Sequence, residues 1–439
     1  MKEITLENFR CFHTKQVARL APLTLLVGEN STGKTSFMAM IRALWDCAYG
    51  HRIPDFKEAP FDLGSFEEIA HRRSERNVSE ATFRASLQID DDLGADVEFG
   101  KKGKVAVPRS MGLVDGKIRI KDKYDAKGEP KMQVKTPNGV WEMRLATDIT
   151  ENASPLLTLR GVLLRIPELI FRDFPERPIG MVPIHGSPPF SKSDIDAIAG
   201  FRLLDSEDVQ DRPYAGAPVR ARPQRTYDPD SLMEDSEGNY VPMLLEHLAT
   251  SSDARWTSIK EKLEHFGSST GIFDEIDIKR LGKSESAPFQ VQVRKYGKKR
   301  RGIKQNLIDV GYGISQALPI LMELLPPGIS RMALLQQPEV HLHPSAQAAL
   351  GSLFCETAGQ GRQLVVETHS DHLMDRVRMD VRDGKTNLRP EDVSILFFER
   401  NDLSVQIHSI RIDEEGNILD APNNYRQFFM EETRRSLWG

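Results

Sequence analysis

Residues 28–35 read GENSTGKT and fit the phosphate-binding pattern G-x-x-x-x-G-K-S/T. An apolar, strand-like run at 23–27 precedes this loop, and the segment SFMAMIRALWD at 36–46 follows it with apolar residues at helical spacing. Such a strand–loop–helix unit directs backbone N–H groups toward phosphates at the N-terminus of the helix. A glycine-rich turn without a ligand explains the pattern less well, because both flanking segments agree with the first interpretation. The sequence therefore predicts a site for a nucleoside triphosphate.

The loop supplies two functional side chains in addition to its backbone. Lys34 is expected to reach the β- and γ-phosphates, and the hydroxyl of Thr35 is expected to ligate Mg²⁺. ATP and Mg²⁺ are therefore the predicted cofactors. The nucleotide contacts predicted for this segment are Asn30, Ser31, Thr32, Gly33, Lys34, Thr35 and Ser36.

The composition is that of a globular chain, with 439 residues, 39% of them hydrophobic and 28% charged. No run of about 18 apolar residues is present, and the N-terminus lacks the apolar segment of a signal peptide. Three cysteines at unrelated spacings fit a reducing compartment. We therefore expect a cytoplasmic location and no membrane partner. The net charge of −5 argues against a uniformly basic nucleic-acid binder, although a local basic patch is compatible with it.

The order of patterns along the chain predicts three segments. An N-terminal part of an ATPase head spans 1–75, an antiparallel β and helical insertion spans 76–285, and a C-terminal part of the head spans 286–439. No heptad array long enough for a coiled-coil arm is visible. Helical patterns within the insertion cover 150–175, 190–208, 241–250 and 254–266, and PFQVQVRKYG at 288–297 reads as a strand.

Three segments in the last third of the chain complete the predicted site. NLIDVGYGISQALPIL at 306–321 has a glycine-containing turn and then an apolar helix that we expect to start near Ser315. MALLQQPEVHLHPSAQ at 332–347 and QLVVETHSDHL at 363–373 are strands that end in polar residues. Parallel strands beside the P-loop strand bring such residues to the phosphates.

Taken together, these motifs resemble those of ABC-type (AAA-like) ATPases, in the branch that contains the OLD (overcoming-lysogenization-defect) nucleases and the RecF-like repair ATPases. The likeness is strongest to stand-alone anti-phage defence ATPases of that branch, such as the ATPase subunit of the Septu system. The segments that carry it are GENSTGKT at 28–35, DLGSFEEIAHR at 62–72, DVGYGISQ at 309–316, QQPEVHLHP at 336–344 and THSDH at 368–372.

The resemblance implies an α/β fold of the ABC head type. A mixed sheet would carry the P-loop, with an antiparallel β layer at its edge, a helical and β insertion, and no long coiled coil. It also implies a homodimer or higher oligomer in which two heads enclose ATP. A Q-loop, which would sense Mg²⁺ in such a head, is expected within 62–66 but is not obvious in the sequence.

The resemblance also assigns roles to later residues. Gly313 and Ser315, with Gly311, occupy the signature position, where a serine at a helix start would donate to a γ-phosphate bound by the opposite subunit. A simple helix cap is the alternative for Ser315. His369 resembles the switch histidine that contacts the γ-phosphate, and a structural histidine is the alternative. His341 and His343 have the alternate spacing of zinc ligands, but we reject a metal site because no further ligands accompany them.

The chain departs from the family pattern at the strand that should end in two carboxylates. Gln336 stands where the Mg²⁺-holding acid is expected, and Gln337 stands where the acid that activates water is expected. A neutral amide cannot act as a general base at pH 7, so we predict weak or slow hydrolysis. Glu339 and Glu367 are candidates to replace the missing catalytic carboxylates. The alternative for each, at least as well supported, is an ordinary structural carboxylate. The catalytic candidates are Gln336, Gln337, Glu339, Glu367 and His369, and the metal-binding candidates are Thr35 and Gln336.

Three further features have two interpretations each. The basic run RKYGKKRRGIK at 294–304 suits contact with DNA or a solvated hairpin. The arginines of VRARPQR at 219–225 would fix a loop near the nucleotide or pair with the acidic segment DPDSLMEDSEG at 228–238. The aromatic tail at 423–439 would pack on the core or bind a partner.

The leading hypothesis is an ATP-gated dimeric head that controls a separately encoded effector, expected to be a nuclease, in anti-phage defence or DNA surveillance. Only 70 residues follow His369, too few for the fused nuclease domain of OLD proteins. The alternative is an ATP sensor or scaffold that assembles a complex without hydrolysis, which the glutamine pair favours. A membrane-transporter motor is disfavoured, because the LSGGQ-type signature and the Asp-Glu pair of that class are missing.

Overall fold

The structure is a computed structural model of the 439-residue chain. It describes residues 1–49, 52–73, 78–124, 130–144, 181–183, 193–194, 212–229, 233–251, 254–284, 286–297, 302–326, 332–402 and 404–425. The helix predicted at 150–175 lies outside the described residues, as do nearly all of the helix at 190–208, residues 298–301 of the basic run and the tail beyond 425.

The helices and strands of the described residues follow the sequence patterns closely. The α-helices are α1 (Lys34–Ala48), α2 (Phe66–Ile69), α3 (Val241–Thr250), α4 (Ala254–Thr270), α5 (Tyr312–Leu324), α6 (Pro344–Gly359) and α7 (Asp371–Arg382). The strands are β1 (Glu3–Glu7), β2 (Gln16–Arg19), β3 (Leu23–Gly28), β4 (Arg72–Arg73), β5 (Val78–Ser79), β6 (Thr82–Gln88), β7 (Leu93–Lys102), β8 (Val105–Asp115), β9 (Ile118–Tyr124), β10 (Pro130–Thr136), β11 (Gly139–Arg144), β12 (Met181–Pro183), β13 (Tyr214–Gly216), β14 (Glu275–Arg280), β15 (Phe289–Arg294), β16 (Gln305–Asn306), β17 (Ala333–Gln336), β18 (Leu364–Glu367), β19 (Val393–Asn401), β20 (Ser404–Ile412) and β21 (Ile418–Leu419). The helices predicted at 241–250 and 254–266 and the strand predicted at 288–297 are confirmed as α3, α4 and β15.

The chain forms two compact units, each assembled from separate stretches of sequence. Unit 1 comprises Met1–Leu20, Glu29–Arg212 and Phe398–His408. Unit 2 comprises Ala21–Gly28, Pro213–Phe397 and Ser409–Gly439. The segment boundaries at 75 and 285 remain a prediction.

Unit 1 contains a nine-stranded antiparallel sheet with the order β12-β11-β10-β9-β8-β7-β6-β1-β2. Alternate residues of β6 are buried, as expected for a sheet with one face on a core. A cluster of phenylalanines forms that core, and the rings of Phe83 and Phe99 stack at 4.9 Å. The same cluster reaches the loop between β1 and β2, where Phe9 packs on Phe83 at 5.5 Å.

The P-loop strand β3 belongs to a seven-stranded sheet with the order β13-β17-β18-β3-β19-β20-β21. Strands β13, β17, β18 and β3 are parallel. Every residue of β3, β17 and β18 is buried, which is the pattern of parallel strands covered on both faces. Apolar side chains of β3, α5 and α6, among them Leu25, Leu321 and Phe354, share one core in unit 2.

A third, smaller sheet in unit 2 has the order β14-β15-β16. The predicted α/β class, with a mixed sheet and an antiparallel β layer, is confirmed. The longest helix of the described part, α4, has 17 residues, so no coiled-coil arm is present there. None of the helices among these residues combines the length and apolar character needed to span a bilayer.

Candidate nucleotide site

The phosphate-binding loop connects β3, which ends at Gly28, to α1, which begins at Lys34. Gly33 is the N-cap of α1 and has a left-handed φ of 88°, which favours glycine. A Cβ on Gly33 would lie 2.5 Å from Cys11 Sγ and 2.9 Å from Phe12 Cζ. The loop therefore rests directly on the turn between β1 and β2, and glycine is required there for two independent reasons.

Hydrogen bonds within the loop fix its polar side chains. The hydroxyl of Thr32 donates to the carbonyl of Glu29 at 2.8 Å, and Nζ of Lys34 donates to the same carbonyl at 2.7 Å. Lys34 is only 3% exposed, so its ammonium group is held against the loop. Burial of an ammonium group is unfavourable unless it is hydrogen-bonded or paired with an anion.

The start of α1 has the electrostatic character of an anion site. Its first turn contains no acidic residue, so no carboxylate there offsets the partial positive charge of the helix N-terminus. Thr35 is half-buried and Ser36 is buried in that turn. The geometry predicted from GENSTGKT is thus present, with glycine at the N-cap and lysine and threonine in the first turn.

The catalytic candidates are brought together at the carboxyl ends of the parallel strands in unit 2. Gln336 pairs in register with Glu367, and Glu367 pairs with Leu26 of the P-loop strand. Gln337 follows with a φ of 42°, and its backbone N–H donates to the Glu367 carbonyl at 2.8 Å. The side chain of Gln336 is buried, and its Nε2 lies 3.4 Å from the carbonyl of Gly216.

Glu339 and His369 meet at the same edge. Oε1 of Glu339 accepts a hydrogen bond from the backbone N–H of His369 at 2.8 Å. Oε2 of Glu339 is buried and has no hydrogen-bond partner among the described residues. Burial raises the pKa of the Glu339 carboxyl. Hydrogen bonds from the backbone of His369 and Glu339 and from the Thr368 side chain, together with the charge of Arg220, act in the opposite direction.

Arg220 is a buried cation beside this strand end. Its Nη2 donates to the carbonyl of Gln336 at 3.1 Å, and its backbone N–H donates to Oε1 of Gln316 at 3.2 Å. Burial lowers the pKa of the guanidinium to about 10, which the nearby Tyr214 and Glu339 oppose. Nη1 of Arg220 has no hydrogen-bond partner within the described part of the chain. Arg220 therefore joins the signature helix α5 to the end of β17.

The signature segment differs from its prediction in detail. Helix α5 begins at Tyr312 after the N-cap Gly311, three residues earlier than expected. The hydroxyl of Ser315 donates to the Tyr312 carbonyl at 2.9 Å and is only 6% exposed, so the helix-cap interpretation is wrong. A Cβ on Gly313 would lie 2.9 Å from the His341 carbonyl, which explains the small residue at this contact.

Two family profiles match the sequence. Residues 1–136 match a profile described as "AAA ATPase domain". Residues 191–375 match one described as "AAA domain, putative AbiEii toxin, Type IV TA system". The chain carries AAA-family ATPase domains. No curated protein matches the chain significantly.

Heads of SMC proteins are among the solved structures with a similar fold. The SMC head domain bound to the C-winged helix domain of ScpA is 9% identical, with a TM-score of 0.47 over 94% of this chain and 98% of that chain. The SMC head domain from Thermotoga maritima is 12% identical, with a TM-score of 0.38 over 94% and 99%. A Pyrococcus furiosus Smc head with an extended coiled coil is 11% identical, with a TM-score of 0.41 over 99% of both chains. These likenesses are distant and carry no information about ligands or partners.

The arginines before the signature segment have partners that the sequence did not identify. Arg225 makes two hydrogen bonds to Asp309, at 2.6 and 2.9 Å, directly before α5. Among the described residues, the carboxylate partner of Arg225 is thus Asp309 and not a residue of the acidic segment at 228–238. Together with the contacts of Arg220, this pair holds the loop at 220–225 to the signature segment.

The described part of the basic run is largely neutralised by its own sheet. Arg294 pairs with Glu275 at 2.9 Å, and Lys304 forms an ion pair with Asp277. The hydroxyl of Tyr296 donates to Glu275 at 2.8 Å. These contacts favour the hairpin interpretation for this part of the run, and contact with DNA remains untested.

The segment expected to contain the Q-loop forms a capped turn in unit 1. Ser65 is the N-cap of α2, and its backbone N–H donates to Oε2 of Glu68 at 2.7 Å in a capping box. The ring of Phe66 packs on Phe83 at 6.0 Å. The turn is thus fixed on the phenylalanine core. The capping box and this packing explain the residues of the segment without a contact to a nucleotide.

One residue beside the loop was not predicted. Nη2 of Arg400, at the end of β19, donates to the carbonyl of Ser31 within the P-loop. These residues are 369 positions apart in sequence, so no local pattern could have connected them.

Proposed function

We propose that this chain is an ATP-binding ATPase head whose hydrolysis is weak or slow. The observation that carries the proposal is the P-loop itself, in which Lys34 and the N-terminus of α1 form an anion site. The ammonium group of Lys34 donates a hydrogen bond to the Glu29 carbonyl. A β- or γ-phosphate is a stronger acceptor and would replace that carbonyl.

The residues suit Mg²⁺ only in part. The hydroxyl of Thr35 is the usual protein ligand that a P-loop offers, and the phosphates of ATP would supply further oxygens. Gln336 offers a neutral amide oxygen where a carboxylate is expected, so it contributes no charge to the affinity for Mg²⁺. Bound Mg²⁺ would neutralise phosphate charge and thereby favour attack at the γ-phosphate.

Slow hydrolysis follows from the loss of the general base. Gln337 can orient a water molecule by hydrogen bonding but cannot accept its proton at pH 7. We assign any residual turnover to Glu339, because one of its buried oxygens lacks a hydrogen-bond partner among the described residues and burial raises its pKa. Glu367 is the second candidate.

We further propose that two heads enclose ATP and that the assembly gates a separately encoded effector, expected to be a nuclease, in anti-phage defence or DNA surveillance in the cytoplasm. This part rests on the resemblance to OLD, RecF-like and Septu ATPases. The matched description that names a putative toxin of a toxin–antitoxin system is compatible with a defence role. In such a dimer, the hydroxyl of Ser315 would have to leave the Tyr312 carbonyl to reach a γ-phosphate on the other head.

A non-hydrolysing sensor or scaffold is the second candidate function. The amides at Gln336 and Gln337 favour it, because both carboxylates of a hydrolytic site are replaced. Turnover separates the two candidates, since the sensor would retain ATP unchanged.

The nucleotide site is tested by replacing Lys34 with Ala. We expect ATP affinity, measured by titration of a fluorescent ATP analogue and by calorimetry, to fall about tenfold or more, because a charge-assisted hydrogen bond contributes about 1.5–3 kcal/mol. Lys2→Ala is the matched control, since Lys2 is exposed and pairs with Asp91 in the turn between β6 and β7. Equal affinities of the wild-type chain and Lys34→Ala would contradict the assignment of the loop.

A further inference from the structure

The hairpin of β19 and β20 brings an arginine to the P-loop within unit 1. Nη2 of Arg400 donates to the carbonyl of Ser31, which has a left-handed φ of 62°. The Arg400 side chain is exposed, and this carbonyl is its only hydrogen-bond acceptor among the described residues. A guanidinium group has five N–H donors, so most of its hydrogen-bonding capacity remains available.

The position of Arg400 is fixed by the packing of its own strand. Phe398, two residues earlier and therefore on the same face of β19, is fully buried. Its ring packs on Phe37 of α1 at 5.5 Å and on Phe12 at 6.2 Å. The side chain of Arg400 is the next one on this face and reaches the loop that precedes α1.

The hairpin is also tied to the turn that supports the loop. The backbone N–H of Val405 donates to the Cys11 carbonyl at 3.1 Å, and that of Ile407 donates to Oε1 of Gln16 at 3.0 Å. Cys11 in turn contacts the loop through its thiol, which lies 3.6 Å from the Thr32 carbonyl. The hairpin, the turn and the P-loop therefore form one supported arrangement.

The charge of Arg400 is the next feature of this arrangement. No carboxylate among the described residues forms an ion pair with Arg400, whereas its neighbour Glu399 pairs with His408 at 2.7 Å. Both Arg400 and Arg10 act electrostatically on the thiol of Cys11, the residue that contacts the loop at Thr32. A neutral carbonyl is a weaker partner for a guanidinium group than a phosphate, which can accept two parallel N–H bonds.

We propose that Arg400 is a nucleotide-binding residue that contacts the outer phosphates of the bound nucleoside triphosphate. This inference rests on the proposed ATP site and adds to it a cation from the C-terminal part of the chain. On binding, the guanidinium group exchanges the Ser31 carbonyl for a phosphate oxygen. Together with Lys34, Arg400 would supply positive charge to these phosphates.

The test compares ATP, ADP and AMP binding to the full chain and to Arg400→Ala, by competition against a fluorescent ATP analogue. We expect ATP to bind about tenfold more weakly to the variant, since a charge-assisted hydrogen bond contributes about 1.5–3 kcal/mol. AMP, which lacks the outer phosphates, should compete equally with both proteins. Arg400→Lys should recover part of the ATP affinity, because it keeps the charge but not the bidentate geometry.

Arg411→Ala is the matched control, because Arg411 is an exposed arginine of β20 that already pairs with Asp420. Unchanged ATP affinity in Arg400→Ala, alongside tight binding to the wild-type chain, would overturn this inference and leave the ATP site intact. An equal loss of AMP and ATP affinity would also overturn it, because contact with the base or ribose would then explain the effect. Failure of the wild-type chain to bind ATP would instead contradict the proposed function itself.

Discussion

Replacing Gln336 with Asp and Gln337 with Glu together is expected to raise the rate of ATP hydrolysis by about 100-fold or more, since a positioned general base contributes roughly 10²–10⁴-fold. The first change restores an anionic group at the position that normally holds the Mg²⁺ water, and the second restores the proton acceptor. Steady-state phosphate release at saturating ATP and Mg²⁺ measures the effect.

The surroundings of both residues can accept these changes. Arg220 lies beside the end of β17, donates to the Gln336 carbonyl and has an Nη1 without a hydrogen-bond partner among the described residues. Its positive charge would offset that of a buried aspartate at position 336. Gln337 is half-buried, and its backbone N–H, which bonds the Glu367 carbonyl, is unaffected by an isosteric change to glutamate.

Two further variants make the result specific. Gln360→Glu adds a negative charge at an exposed glutamine after α6 and should leave turnover unchanged. Adding Glu339→Gln to the double variant should leave the restored rate largely intact, because the new glutamate takes over as base. A double variant that binds ATP but hydrolyses it no faster than the wild-type chain would show that the glutamines do not limit the reaction.

Arg362→Ala is expected to lower the free energy of unfolding by about 3–5 kcal/mol, the usual result of removing one partner of a buried ion pair. Arg362 contacts Glu323 of α5 twice, through Nη1 to the carbonyl at 2.5 Å and through Nη2 to the carboxylate. The side chains are only 5% and 2% exposed. Without the guanidinium group, the buried carboxylate of Glu323 loses the charge that compensates it.

Urea unfolding, monitored by circular dichroism, measures this loss in the free energy of unfolding. Arg389→Ala is the control, because Arg389 forms exposed ion pairs with Glu391 and Asp392 and such pairs contribute about 0–1 kcal/mol. The double variant Arg362→Met with Glu323→Leu should recover most of the stability, since no uncompensated charge is then buried. A change below about 1 kcal/mol in Arg362→Ala would contradict the role of the pair.

The sequence predicted those parts of the fold that depend on patterns within a short stretch of residues. The P-loop, the strands that end at Gln336 and Glu367, and helices α3 and α4 each combine apolar periodicity with recognisable flanking residues. The carboxyl ends of β3, β17 and β18 meet because these parallel strands belong to one sheet and share an edge. The predicted helix start near Ser315 was three residues too late, because α5 begins at Tyr312 after the N-cap Gly311. The role of Ser315 at the nucleotide stays a prediction.

Contacts between distant segments could not be predicted in this way. The bond from Arg400 to Ser31, the bond from Arg220 to the Gln336 carbonyl and the pair of Arg225 with Asp309 depend on how whole elements pack. Arginine is also common on solvated surfaces, so its presence in the sequence did not indicate which of these residues would be buried or bound to the loop.

The central claim is that the chain binds ATP and leaves it largely unhydrolysed. The most direct test is to incubate the purified chain with ATP and Mg²⁺, separate the complex by gel filtration, and identify the bound nucleotide by chromatography over several hours. We predict that ATP persists in the complex and that ADP appears only slowly. Rapid accumulation of ADP, or recovery of the chain without nucleotide, would contradict the account.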